Sequence, residues 1–288
     1  MNPLVAPSWL AGRLHDPRMI VLDATLPPVG VTPPIDTRAR YVAQHIPGTV
    51  FFDIEELSDH STSLPHMLPT EDVFARSMAA LGVSDNATLV VYEQEGVFSA
   101  PRAWWMLRVF GARDVRVLDG GLRAWLDAGL PVESGAVRRD AAQFHAKLDR
   151  GAVKDFADVQ RIIKERGTTK DQILDARSAA RFTGAAPEPR AGISSGHMPR
   201  AISLPFTELA EHGRMKPAES LRDVFRSKGV DLEQPVTTTC GSGVTAAVLA
   251  LGLELAGAIR VQLYDGSWAE YAQHPDAVIE KQPLANSH

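Results

Sequence analysis

Apolar and polar positions alternate along this chain with two different periods. Runs of three to five apolar or β-branched residues read as strands: Met19–Leu22, Thr88–Tyr92, Gln172–Leu174 and Val236–Thr239. Between them, apolar residues recur at helical spacing, as in Val73, Met78 and Leu81 or Leu221, Val224 and Phe225. Further helices are expected over Pro101–Phe110 and Val244–Leu255, and short strands over Val50–Phe52 and Ala201–Leu204. A last strand in each half ends at Asp119 or Asp265, before a final helix. Strands alternating with helices predict an α/β fold with a largely parallel sheet in each half. The stretch from about Pro131 to Arg150 has no strand periodicity.

The pattern occurs twice. VLDAT at 21–25 and HIPGTVFFDIEEL at 45–57 match ILDAR at 173–177 and HMPRAISLPFTEL at 197–209, both at an offset of 152. Farther on, LGVSDNATLVVYE (81–93) matches KGVDLEQPVTTTC (228–240) at an offset of 147, and DGGLRAW (119–125) matches DGSWAEY (265–271) at 146. Four matches in the same order imply duplication of a whole domain, whereas a solenoid needs shorter and more numerous repeats. Domains over 1–138 and 151–288 are expected, with 139–150 as linker. His45 and His197 recur in both copies and read as structural turn residues.

Composition narrows the function classes. The chain has 288 residues, 23% of them charged, and a net charge of -5, so it has no global attraction for nucleic acid or an anionic membrane. The segment MNPLVAPSWLAGRL lacks a basic region followed by an unbroken apolar run, so no secretory signal is expected. The longest apolar stretch, Val244 to Ile259, is interrupted by Glu254 and is too short to span a bilayer. With Cys240 the only cysteine, an internal disulfide and a Cys-rich zinc site are excluded, and a cytoplasmic setting is the default. No set of histidines has metal-ligand spacing.

Cys240 follows the strand PVTTT and precedes a helix, which puts it where open α/β sheets place their ligand crevices. Gly241 and Gly243 let the loop curl with its N–H groups inward, and the helix aims its positive end at the same point. Such a nest favours a thiolate, the reactive form of cysteine. A lone cysteine is more often a small core side chain; this one stands apart by its Gly-rich turn. The phosphate-loop pattern fails, because no Gly-Lys-Ser/Thr follows the strand.

CGSGVT at 240–245, with YDGSW at 264–268 after the helix, resembles the active-site segment of the rhodanese superfamily. HIPGTVFFD and LDGGLRAW in the first half resemble its tandem sulfurtransferases, and the likeness covers nearly the whole chain. The uncharged loop resembles the 3-mercaptopyruvate branch, whereas thiosulfate enzymes typically show CRKGVT. A cationic loop suits a dianion; mercaptopyruvate has one carboxylate.

The resemblance implies two tandem rhodanese-like domains, the first silent because Glu93 stands where the second has Cys240. It implies a persulfide on Cys240, in a loop completed by Gly241, Gly243, Val244 and Thr245. Arg181 and Arg190 would hold the substrate carboxylate and carbonyl, a task suited to the planar fork of arginine. Ser242, His66 and an acid would form a hydrogen-bonded relay; the acid is commonly Asp, and the matching residue here is Glu55. Taken singly, a loop arginine is usually a solvated charge and a loop histidine a plain surface residue. DGSW at 265–268 is placed to position the loop or wall the pocket, but Asp119 recurs without a nucleophile, so Asp265 reads as a structural turn residue and both Asp265 and Trp268 are left outside the catalytic set. The implied donor is 3-mercaptopyruvate, the acceptors are cyanide or a thiol such as thioredoxin, and neither cofactor nor metal is required. The alternatives are a thiosulfate sulfurtransferase, a phosphatase and a non-catalytic sulfur-binding module. A C-x₅-R phosphatase needs Arg where this chain has Ala246.

Overall fold

A computed structural model describes residues 2–165 and 170–281. Its strands are β1 (Leu4–Val5), β2 (Met19–Asp23), β3 (Val50–Phe51), β4 (Thr88–Tyr92), β5 (Asp114–Leu118), β6 (Val153–Lys154), β7 (Gln172–Asp175), β8 (Ala201–Ser203), β9 (Ala210–Glu211), β10 (Arg214–Met215), β11 (Val236–Thr239) and β12 (Val261–Tyr264). Its helices are α1 (Pro7–Ala11), α2 (Thr37–Ala43), α3 (Glu71–Ala80), α4 (Ala100–Val109), α5 (Gly121–Asp127), α6 (Phe156–Lys164), α7 (Ala179–Thr183), α8 (Ala218–Ser227), α9 (Ala246–Ala256) and α10 (Ser267–Tyr271). Two five-stranded parallel sheets repeat one order, β1-β5-β4-β2-β3 and β6-β12-β11-β7-β8. The expected α/β architecture, built twice, is what the chain adopts.

Contacts divide the chain into two compact units. The first takes the residues up to Ser61, Leu68–Arg150 and Ala210–Met215; the second takes Thr62–Met67, Gly151–Leu209 and the chain from Lys216 onward. Each half of the sequence thus lends a short segment to the unit built mainly by the other half. The segment 210–215 is the antiparallel hairpin β9–β10. In the first unit, Met215 N–H donates to Asp119 Oδ1 at 3.0 Å and Arg214 Nη1 to the Asp119 carbonyl at 3.2 Å. Residues 139–150 form no element but run along the first unit, with Ala142 N–H on Ala79 O at 3.0 Å and Leu148 N–H on Glu71 Oε1 at 2.7 Å.

The central strands β4 and β11 are buried along nearly their whole length, as both-face-covered parallel strands must be. In the first unit Trp125, Tyr92 and Leu10 are fully enclosed; in the second, Trp268, Tyr271 and Tyr264 are. Each such side chain contributes about 1.5–3 kcal/mol by leaving water. α9 is apolar and buried along nearly its whole length, with only Glu254 and Leu255 half-exposed near its end. It begins at Ala246, two residues later than its hydrophobic run suggests, so Val244 and Thr245 belong to the loop. In α3, Phe74 and Met78 face the core four residues apart, while Val73 stays 38% exposed. The edge strands β1 and β6 and the hairpin escaped sequence reading because two residues show no period.

His45 and His197 have the same structural job in both units. Each is buried, and each ring Nδ1 donates to a carbonyl, Tyr41 O at 2.8 Å and Phe182 O at 2.9 Å. Each also forms an antiparallel backbone bridge, to Glu133 and Glu280 respectively. Among the described residues no helix is long and apolar enough to cross a membrane.

Candidate active site

β11 ends at Thr239, and Cys240 follows it into a tight loop that reaches α9 at Ala246. Cys240 is a free thiol, 2% exposed. Its backbone is held from the turn after β12: Cys240 N–H donates to Ser267 Oγ at 3.2 Å, and Cys240 O accepts from Trp268 N–H at 2.9 Å. Gly241 O accepts from Ala269 N–H at 3.0 Å. α9 has no side-chain cap from Thr245, so its first turn opens toward the loop without a competing oxygen of its own.

The two loop glycines serve different needs. Gly243 sits at φ 78°, a region that favours glycine. Gly241 does not; there the need is room. A methyl group built on Gly241 would stand 2.9 Å from Arg181 Nη2. The missing side chain lets the guanidinium come up against the loop backbone.

Ser242 and His66 meet inside the second unit, to which the segment 62–67 belongs. Both are buried, and His66 Nδ1 lies 2.9 Å from Ser242 Oγ. His66 is held at φ 61°, unusual for a side chain of its size. Glu55 lies in the turn after β3 and belongs to the first unit, with an exposed side chain. Val244 is buried and Thr245 half-buried.

Behind the loop lies a ladder of four charges. Arg177 is fully enclosed and donates to Asp175 through Nε at 3.0 and 3.1 Å and through Nη2 at 2.6 Å. Its Nη1 reaches Glu188 Oε1 at 2.8 Å, its Nη2 reaches Gly196 O at 2.8 Å, and its guanidinium lies 4.1 Å from the Trp268 ring centre. Glu188 then binds Arg181 through Nε, at 3.2 Å to each carboxylate oxygen, and through Nη2. Burial works against the Arg177 cation, and Asp175 and Glu188 outweigh it and raise its pKa. Arg181 keeps about a quarter of its side chain exposed, and Glu188 almost none. Arg190 is half-buried two residues beyond Glu188. Sequence reading singled out the two loop arginines and missed Asp175, Arg177, Glu188 and Ser267. The change from ILDAR to VLDAT between the copies was the available signal for Arg177.

In the first unit the same place is filled differently. Glu93 follows β4 and turns its carboxylate back onto its own loop, accepting N–H groups from Phe98 at 2.6 Å, Ser99 at 3.1 Å and Ala100 at 3.2 Å. Burial raises its pKa to about 7 against those hydrogen bonds. Thr25 stands where the second unit has Arg177, and Asp23 is bonded by Thr25 and Gln94 in place of a cation. Among the described residues no group of His, Cys, Asp and Glu side chains is arranged to hold a metal ion.

A rhodanese-like domain family model matches residues 6–128 and again 155–274. The 3-mercaptopyruvate sulfurtransferase of Escherichia coli K12 is 43% identical over 276 residues, spanning 96% of this chain and 97% of that protein. The thiosulfate sulfurtransferase of Gallus gallus is 42% identical over 275 residues, spanning 93% of this chain and 92% of that one. The crystal structure of the E. coli 3-mercaptopyruvate sulfotransferase superposes with a TM-score of 0.85 at 42% identity, covering 93% of this chain and 99% of the other.

Proposed function

We propose that this chain, which belongs to the rhodanese family and within it to the tandem-domain 3-mercaptopyruvate sulfurtransferases, moves sulfur from 3-mercaptopyruvate through a persulfide on Cys240 to a thiol or cyanide. The observation that carries this reading is the loop itself. A buried thiol follows β11, the uncapped α9 opens onto it, and Arg181 stands against Gly241 where a larger residue would displace it.

In the first half-reaction the Cys240 thiolate attacks the sulfur of the donor. The S–S bond forms, the C–S bond breaks, and its electron pair goes to the enolate of pyruvate. The proton of the donor thiol moves to that enolate carbon, giving pyruvate. Glu188 occupies the Nε–Nη2 edge of Arg181, so the donor carboxylate takes the Nη1 edge, with Arg190 beside it. The Ser242–His66 pair passes the proton. Loop N–H groups and the α9 terminus hold the terminal sulfur as an anion. In the second half-reaction an acceptor attacks that sulfur and releases the thiolate: cyanide leaves as thiocyanate, while a dithiol such as thioredoxin releases sulfide as it closes its disulfide. The setting is the cytoplasm, which suits a chain whose single cysteine must stay reduced.

Intact mass after exposure to 3-mercaptopyruvate alone tests the reading. Wild type gains one sulfur atom and Cys240→Ser gains none. A wild-type protein that takes sulfur only from thiosulfate would move the chain to the other donor.

A further inference from the structure

Four non-glycine residues of the described chain hold a positive φ: His66, Arg200, His212 and Ser267. Arg200 and His212 are exposed. His66 and Ser267 are buried, and both are bonded to the Cys240 loop. Strained backbone kept inside a packed core marks a place where the surroundings enforce it for a reason. Ser267 is fully enclosed at φ 48° and opens α10.

Its hydroxyl has one proton, and that proton goes to Tyr264 O at 2.8 Å. Only lone pairs remain for the Cys240 N–H, 3.2 Å away. The hydroxyl is therefore a fixed acceptor. The next residue, Trp268, donates its N–H to Cys240 O. Two consecutive residues thus hold the peptide groups on both sides of the nucleophile.

The first unit keeps one of these two bonds. Leu122 N–H donates to Glu93 O at 2.9 Å, as Trp268 does to Cys240 O. The other is missing, because the matching residue is Gly121, at φ 59°. A methyl group there would lie 2.2 Å from Glu93 O. Room for a side chain at this place exists only in the second unit, which spends a left-handed non-glycine residue on it.

We propose that Ser267 is a positioning residue for the nucleophile: its hydroxyl, oriented by Tyr264, fixes the Cys240 N–H and so sets the direction in which Sγ leaves the strand. The proposal rests on Cys240 as the sulfur carrier. Because the N–H is taken by Ser267, it serves posture, and the anion on sulfur is left to the later loop N–H groups.

Ser267→Gly and Ser267→Ala separate the hydroxyl from the strain. Glycine relieves the left-handed backbone; alanine keeps it. Both variants are expected to lose about tenfold in kcat with KM for 3-mercaptopyruvate within about twofold of wild type. Both variants are expected to unfold below wild type, because each leaves the Cys240 N–H and the Tyr264 carbonyl buried without this partner, with Ser267→Gly the less affected of the two because glycine relieves the left-handed backbone. Alkylation by iodoacetamide reports on one thiol, since Cys240 is the only cysteine, and its rate should shift in both variants. Ser267→Gly with wild-type kcat and alkylation rate overturns the proposal. So does a loss of kcat that is larger in Ser267→Ala than in Ser267→Gly in step with their unfolding temperatures, since the hydroxyl is missing equally from both. If wild type takes no sulfur from 3-mercaptopyruvate, the donor assignment fails, while the alkylation comparison still decides the role of Ser267.

Discussion

Glu93 and Cys240 directly follow the same strand of the same fold, and the two units differ in what the following loop does with its N–H groups. In the first unit they close on the Glu93 carboxylate, which caps α4 from outside. In the second unit a thiol follows the strand and α9 has no side-chain cap. The second contrast lies behind the loop. Asp23 is bonded by neutral Thr25 and Gln94, whereas Asp175 is the first rung of a ladder through Arg177 and Glu188 to Arg181. A working site therefore needs more than a nucleophile: it needs an anion nest left open and a cation held beside it.

The largest expected effect tests that statement directly. Moving the thiol, with Glu93→Cys in a Cys240→Ser background, should restore none of the roughly three or more decades of cyanide-linked transfer lost with Cys240. The first unit has no arginine at the place of Arg177. Recovery of even a few percent of wild-type turnover would show that the nest alone suffices.

Breaking the ladder comes next. Arg177→Met leaves Asp175 and Glu188 buried without their shared cation and should cost about 3–5 kcal/mol in urea unfolding of the second unit. A cost below about 1 kcal/mol would mean that these carboxylates are satisfied by other means.

Glu93 gives the first unit a pH dependence. Its folded pKa of about 7 lies above the ordinary 4.5, so the folded chain keeps a proton that the unfolded chain has released. The stabilisation is fully present below about 4.5 and disappears as pH rises through about 7. Relative to Glu93→Gln, wild type should lose roughly 3 kcal/mol over that range. Parallel stability curves for the two proteins between pH 4 and 8 would place the ionised carboxylate comfortably inside its hydrogen bonds.

The smallest effect sharpens the role of the free end of the ladder. Arg181→Ala should reduce kcat/KM for 3-mercaptopyruvate by about one to two decades, the equivalent of about 1.5–3 kcal/mol for a charge-assisted carboxylate contact. Steady-state kinetics at wild-type values would make Arg181 a loop support held by Glu188 and no more.

Sequence alone determined the duplicated α/β fold, because strand and helix periods are local and each domain repeats them. It also singled out Cys240, since a thiol between a strand and a Gly-rich helix start is a local arrangement. It named Gly241 but not its reason: the neighbour that needs the space, Arg181, lies 60 residues away in the chain. The ladder was legible only at one end. Arg181 and Arg190 were visible as loop arginines, while Arg177 and Glu188 look like ordinary surface charges until burial shows that each has lost its water and must find a partner. Ser267 is the extreme case. The segment YDGSW was visible by its resemblance, but not the serine within it: only the packed turn, which forces its φ positive and brings its oxygen to Cys240 N–H, gives it a task. Periods along the chain follow from local geometry, but partners across it follow from which polar groups the core has desolvated, and that is decided when the sheets and helices close over them.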